Sequence, residues 1–186
     1  AYFIGEAVRN FILEKHISSV HITTNASVST MRRLFMDCEI ESISATSVII
    51  HYEDYKFYLN TFVTNPTEES TLNYTKHYSK NLLEDLSNRD FTINAIAMSH
   101  SGKTTDPYNG YSDVLKKKIR HIGKGKNKFL NNPSLIIKAF TLMSELDYDL
   151  SLQTKREITK STWCSFAMCP APWCSFRNLP CGLSRV

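Results

Sequence analysis

Two β-rich runs separated by four residues do most to limit what this 186-residue chain can fold into. Thr46-Ser47-Val48-Ile49-Ile50-His51 and Lys56-Phe57-Tyr58-Leu59-Asn60-Thr61-Phe62, parted by Tyr52 to Tyr55, predict a hairpin and so commit the chain to a sheet. Upstream, Ile4, Ala7, Val8, Phe11 and Ile12 recur at the spacing of an amphipathic helix entered through Gly5. A short strand follows at Ser19 to Thr23, with Val20 and Ile22 on one face and Ser19, His21 and Thr23 on the other, because strand side chains alternate. Asn25 and Ser27 can cap a second helix with the stripe Val28, Met31, Leu34 and Phe35. The order helix, strand, helix, hairpin predicts a small α/β (α+β) domain.

The rest of the chain is less regular. Asn65 to Lys80, rich in Thr, Glu, Asn and Tyr, reads as a long surface loop. Leu82, Leu83 and Leu86 predict a short helix, Phe91 to Met98 a further helical segment, and Asp106 to Gly110 a turn. A last helix begins near Pro133 with the stripe Ile136, Ala139, Phe140, Met143 and Leu146. Beyond Lys160 the composition turns rich in Cys, Pro and Trp, and Trp163-Cys164-Ser165-Phe166 returns as Trp173-Cys174-Ser175-Phe176. Cys164, Cys169, Cys174 and Cys181 lack the close pairs and the histidine of a zinc site, and Cys38 stands alone, so neither a metal site nor a disulfide framework is expected. A disordered or non-native tail over 161–186 is the expectation.

The formal charge of +4 is concentrated in Lys116, Lys117, Lys118, Arg120, Lys124, Lys126 and Lys128. Such a run suits a polyanion, RNA or a nucleoside triphosphate, and equally suits a solvated face. With no apolar run long enough for a bilayer and no basic-then-apolar amino terminus, the expected setting is the cytoplasm, away from any membrane.

Three local motifs stand in order. Tyr2 to Asn10, YFIGEAVRN, resembles G-G-x-V-R-D, with Ser19-Val20-His21-Ile22-Thr23-Thr24 standing where D-x-D-[IL]-[AT]-T would follow. Asn88 to Ala97, NRDFTINAIA, resembles R-R-D-F-T-[IV]-N-A-[ILM]-A, and Asp106 to Asp113, DPYNGYSD, resembles D-P-[FY]-x-G-x-x-D. Lys128 to Ala139, KFLNNPSLIIKA, is a worn copy of R-F-x-E-D-P-L-R-[ML]-[LI]-R-A. Together these resemble the class II tRNA nucleotidyltransferases, the family of CCA-adding enzymes and bacterial poly(A) polymerases, from about Tyr2 to Thr154.

The resemblance implies a polymerase-β-like head with a small mixed sheet flanked by helices over 1–122, and the start of a helical neck over 123–160. It implies addition of nucleotides to tRNA 3′ ends, with CTP, ATP and tRNA or other RNA as partners and Mg²⁺ as the family's metal. Nucleotide binding would fall to Gly5, Arg9, Arg89, Asp90, Asn94 and Lys138, and RNA binding to the basic run.

The departures lie at the charged positions. Attack of an RNA hydroxyl on an α-phosphate needs divalent metals to stabilise charge, and aspartates two apart on a strand supply oxygen ligands on one face. Here those places hold Ser19 and His21, and the acid of the hairpin strand is Tyr58. Imidazole suits zinc, copper or nickel better than magnesium. Glu6 replaces the second glycine of the opening turn and puts like charge where a phosphate would lie. Asn10, Asn131-Asn132 and Leu135 replace an aspartate, an acidic pair and an arginine, and Lys138 keeps charge without an arginine's planar fork. The expectation is a chain inactive alone, without a resident metal; the alternatives are ligands rearranged onto Glu53, Asp54, Asp85 or Asp90, a non-catalytic RNA- or nucleotide-binding module that keeps the head fold, or a fragment of a decayed gene. After Thr154 no match to the neck's base-selecting E-D-x-x-R motif is found.

Overall fold

The computed structural model describes residues 1–64, 77–79, 81–123 and 128–167. Its main sheet contains β1 (Tyr2–Ile4), β2 (Val20–Thr24), β3 (Glu39–Ser44), β4 (Ser47–Tyr52), β5 (Tyr55–Thr61), β8 (Ala97–Met98) and β9 (Thr104–Thr105), in the spatial order β3-β4-β5-β2-β1-β8-β9. Only β2 and β5 run parallel within it; the remaining pairs are antiparallel, which makes the sheet mixed. Short pairs β6 (Val63–Thr64) with β7 (His77–Tyr78), and β10 (Lys118–Ile119) with β11 (Asp149–Leu150), stand apart from it.

The hairpin forms as the sequence predicts, with Glu53 and Asp54 at its turn and Val48, Ile50 and Leu59 buried. These residues pack on Met31 of α2 (Val28–Leu34), which Ser27 caps by accepting from the Thr30 N–H at 3.2 Å. Leu34 and Phe35 belong to the predicted stripe but lie exposed, because the helix ends after two turns and does not reach across the sheet. Phe11 is likewise exposed. In α1 (Glu6–Ile12) the buried positions are Ala7, Val8, Arg9 and Asn10, so a polar flank turns inward with the apolar one.

Phe91 to Met98 is not the predicted helix. A single 3₁₀ turn at Thr92–Asn94 leads into β8, whose Ala97 and Met98 pair with Ile4 and Phe3 of β1. Phe91, Ile93, Ala95, Ile96 and Ala97 are all buried, so their spacing carries no strand or helix period. The Asp106–Gly110 turn forms as predicted. Asp106 accepts the N–H groups of Gly110 and Tyr111 at 2.8 and 2.9 Å, opening α4 (Gly110–Leu115). Any Cβ at position 110 would lie 2.0 Å from the Thr92 carbonyl oxygen, so glycine is required there.

After α3 (Leu82–Ser87), α4 and β10 come α5 (Lys128–Asn131), α6 (Ser134–Leu146) and α7 (Leu152–Ala167). In α6 the buried residues are Ala139, Leu142 and Leu146; Phe140, predicted for the stripe, is exposed, and Leu142 takes the inward place. Residues on both sides of the predicted boundary at 122/123 share one core: Val8, Phe91, Ile93, Ile96 and Val114 pack with Phe129, Ala139, Leu142, Leu146 and Ile158. Burying a side chain such as Phe91 contributes roughly 2–3 kcal/mol, so that shared core joins the two segments firmly. The boundary predicted at 161 falls inside α7. Residues 168–186, and most of the Asn65–Lys80 segment, lie outside the described residues.

Candidate nucleotide cleft

A cleft of about 820 Å³ opens between α1, β2, the segment from Asn88 to Asn94, and α5–α6, and its walls include Gly5, Arg9, His21, Arg89, Asp90, Asn94, Lys128 and Lys138. All six residues predicted to bind nucleotide line it. Gly5 has φ +73° and turns β1 directly into α1, a backbone that side-chain-bearing residues rarely adopt.

Arg9 is buried and spends its guanidinium within the protein: Nη1 donates to Asn94 Oδ1 at 2.9 Å, while Nε and Nη2 donate to Asn10 Oδ1 at 3.3 and 3.2 Å. Glu6 lies 3.7 Å from Arg9 Nη2. Burial lowers the Arg9 pKa from its usual value, opposed by Glu6 and Glu145. Asn94 in turn donates to Asp90 Oδ1 at 3.4 Å, and Asp90 accepts the Phe91 N–H at 2.7 Å and pairs with Lys138. Arg89 Nη2 donates at 2.8 Å to the buried Asp85, which also accepts from the Thr23 hydroxyl at 3.1 Å and the Val63 N–H at 3.2 Å.

Two of the three positions standing for metal ligands, His21 and Tyr58, meet. Parallel pairing of β2 with β5 sets His21 opposite Tyr58, and their rings stack at 4.7 Å with planes 13° apart. Ser19 precedes β2 by one residue, on His21's side of the alternation. Burial lowers the His21 pKa, with Arg89 and Lys138 adding to the effect and Glu6 opposing it, so the imidazole is neutral at neutral pH. Hydroxyl, imidazole and phenol do not make a hard-oxygen site for Mg²⁺. Among the described residues, no three His, Cys, Asp or Glu side chains that could hold a metal gather around a common point. Glu53 and Asp54 sit at the hairpin turn, and Asp85 and Asp90 are engaged as above.

Three residues of the basic run are engaged within the protein. Arg120 donates to Asp113 at 2.9 Å and to the Tyr108 carbonyl at 2.7 Å, and Lys118 pairs with Asp149 at 3.2 Å. Lys128 donates to the carbonyls of Arg89 and Ile122 at 2.9 and 3.0 Å, and burial lowers its pKa. Lys116 and Lys117 are exposed; Lys124 and Lys126 lie outside the described residues. Motif matching leaves out Asp85 as a strut, and Lys128, expected to bind RNA, instead holds two backbone carbonyls.

The model of the poly(A) polymerase head domain matches residues 1–120. The chain belongs to the poly(A) polymerase head-domain family. Within that family it is similar to the CCA-adding enzymes of Lactobacillus gasseri, 34% identical over 161 residues, and Bacillus subtilis, 33% identical over 164. Those matches cover 86% of this chain and 40% and 41% of the enzymes, so the chain spans about two fifths of their length. The Bacillus stearothermophilus CCA-adding enzyme, solved in complex with CTP, superposes with a TM-score of 0.75 at 28% identity, over 84% of this chain and 38% of that one. A tRNA nucleotidyltransferase solved with a primer tRNA and an incoming ATP analog shares the fold, with a TM-score of 0.68 at 22% identity over 89% of this chain and 47% of that one. Among the described residues, no helix of this family member is long and apolar enough to cross a membrane.

Proposed function

We propose that this chain is a nucleotide-binding head related to tRNA 3′ processing that does not itself add nucleotides. The observation that carries the reading is the His21–Tyr58 stack, which occupies the junction of β2 and β5 where the family motif calls for metal-holding carboxylates. Phosphoryl transfer without that charge stabilisation loses its largest source of rate. Family members generally depend on a metal; the donor set here does not fit Mg²⁺, and no catalytic step is assigned to this chain.

Kept scaffold supports retained binding. Gly5, Arg9, Arg89, Asp90, Asn94 and Lys138 still wall one cleft, of a size that suits a nucleotide. CTP, ATP and the 3′ end of tRNA are the ligands that the family points to, and the cytoplasm is the compartment where they meet. Incubation with tRNA lacking its CCA end, Mg²⁺, CTP and ATP should give no extension above a control without protein. Robust addition of nucleotides overturns the proposal.

A further inference from the structure

We infer that the cleft recognises the nucleoside part of its ligand rather than a phosphate chain, and does so without a divalent metal. This rests on the nucleotide-binding reading above and narrows the ligand class within it.

Charge is the first ground. A triphosphate site needs uncommitted positive charge or a metal held by carboxylates. The cations of this cleft are committed within the protein: Arg9 to Asn10, Asn94 and Glu6; Arg89 to Asp85; Lys138 to Asp90; Lys128 to two backbone carbonyls. The wall carries these four cations and three carboxylates, Glu6, Asp90 and Glu145, and the buried Asp85 behind Arg89 offsets the remaining charge, so the cleft is close to neutral. Lengthening a ligand's phosphate chain therefore adds charge that finds little new partner, and among the described residues no three His, Cys, Asp or Glu side chains gather to hold Mg²⁺ beside it.

The aromatic pair is the second ground. Tyr58 covers one face of the His21 ring, and His21 lines the cleft, so a nucleobase entering beside it can extend the stack to three rings. Every base has a π-face, so this contact favours a base without choosing among bases. The exchange of metal ligands for stacked rings thus moves recognition from one end of a nucleotide to the other.

Calorimetry on the full chain tests this with cytidine, CMP and CTP, and with adenosine, AMP and ATP, each in EDTA and in excess Mg²⁺. Affinities for mono- and triphosphate should agree within about threefold, and Mg²⁺ should leave them unchanged. Triphosphate binding more than about tenfold tighter than monophosphate, or any requirement for Mg²⁺, overturns the inference while leaving nucleotide binding intact. Absence of binding by all six ligands overturns the nucleotide-binding reading itself, and the inference with it. His21→Ala, checked for an unchanged melting temperature, should weaken cytidine and CTP by the same factor. Should that variant not fold, Tyr58→Leu takes its place, and a loss confined to CTP in either variant counts against the inference.

Discussion

Restoring the family's three carboxylates, Ser19→Asp, His21→Asp and Tyr58→Glu together, tests the geometry of the cleft directly. His21 and Tyr58 face each other on adjacent strands with ring centres 4.7 Å apart. Two carboxylates at that spacing repel by about 3.5 kcal/mol at an effective dielectric constant near 20. Loss of the ring stack adds about 1 kcal/mol. For a chain of this size each kcal/mol moves the melting temperature by roughly 2–4 °C, so the metal-free variant should melt about 10–15 °C below its parent. A metal bound by the folded state alone returns about 2.7 kcal/mol when its concentration is a hundred times its dissociation constant, or roughly 5–10 °C. Thermal unfolding of parent and variant, each in EDTA, Mg²⁺ and Mn²⁺, reads both effects. A variant that melts with its parent in EDTA, or ignores both metals, would show that the three positions do not share a site.

Other perturbations probe the frame around the cleft. Gly110→Ala forces a Cβ onto the Thr92 carbonyl oxygen at 2.0 Å, so α4 must shift; a drop of more than about 3 kcal/mol in urea unfolding is expected, and a change under about 1 kcal/mol refutes the close approach. Asp85→Ala strips the Thr23 hydroxyl, Val63 N–H and Arg89 of their shared acceptor and should cost about 3–5 kcal/mol, measured the same way. His21 and His121 both have pKa values lowered from 6.5, chiefly by burial. Their unfolded forms take up protons first, so stability is full above about pH 6.5 and falls as pH drops through that value. Urea midpoints at a series of pH values check this, and His121→Gln should flatten the slope. The Asp149 carboxyl, held at about 2 by Lys155 and Lys118, works in the other sense: its contribution is present above about pH 3.8 and is lost as pH falls toward 2.

Sequence made some of this molecule plain for clear physical reasons. The hairpin was legible because two runs of β-branched and aromatic residues flank a short polar turn, and Val48, Ile49, Ile50 and Leu59 within them are buried. The Asp106 turn was legible because its carboxylate serves backbone N–H groups a fixed number of residues away. Convergence of His21 with Tyr58 followed from motif order, and β2–β5 pairing supplies the geometry behind it. The strand at Ala97–Met98 was hidden because two residues are too few to show alternation and it follows directly on a buried apolar run. Phe11, Leu34 and Phe140 misled because an apolar residue at helical spacing need not be covered when the helix is short or its far side faces solvent. The roles of Arg120 and Lys128 were hidden for a different reason. A cation's partner, carboxylate, carbonyl or RNA, is a matter of three-dimensional placement that a local charge run does not encode.

The place of β1 in the sheet has a consequence for how the chain comes into being. β1 lies between β2 and β8, and its pairing with Ala97 and Met98 is its only hydrogen-bonded cover on that side. A growing chain that has emerged only as far as the hairpin therefore carries β1 as a bare edge, with Ile4 lacking Ala97 across from it. Such long-range closure is slow and leaves an aggregation-prone interval. During synthesis, β1 must wait for the motif from Asn88 to Ala97, which gives that sequence a part to play in folding as well as in walling the cleft.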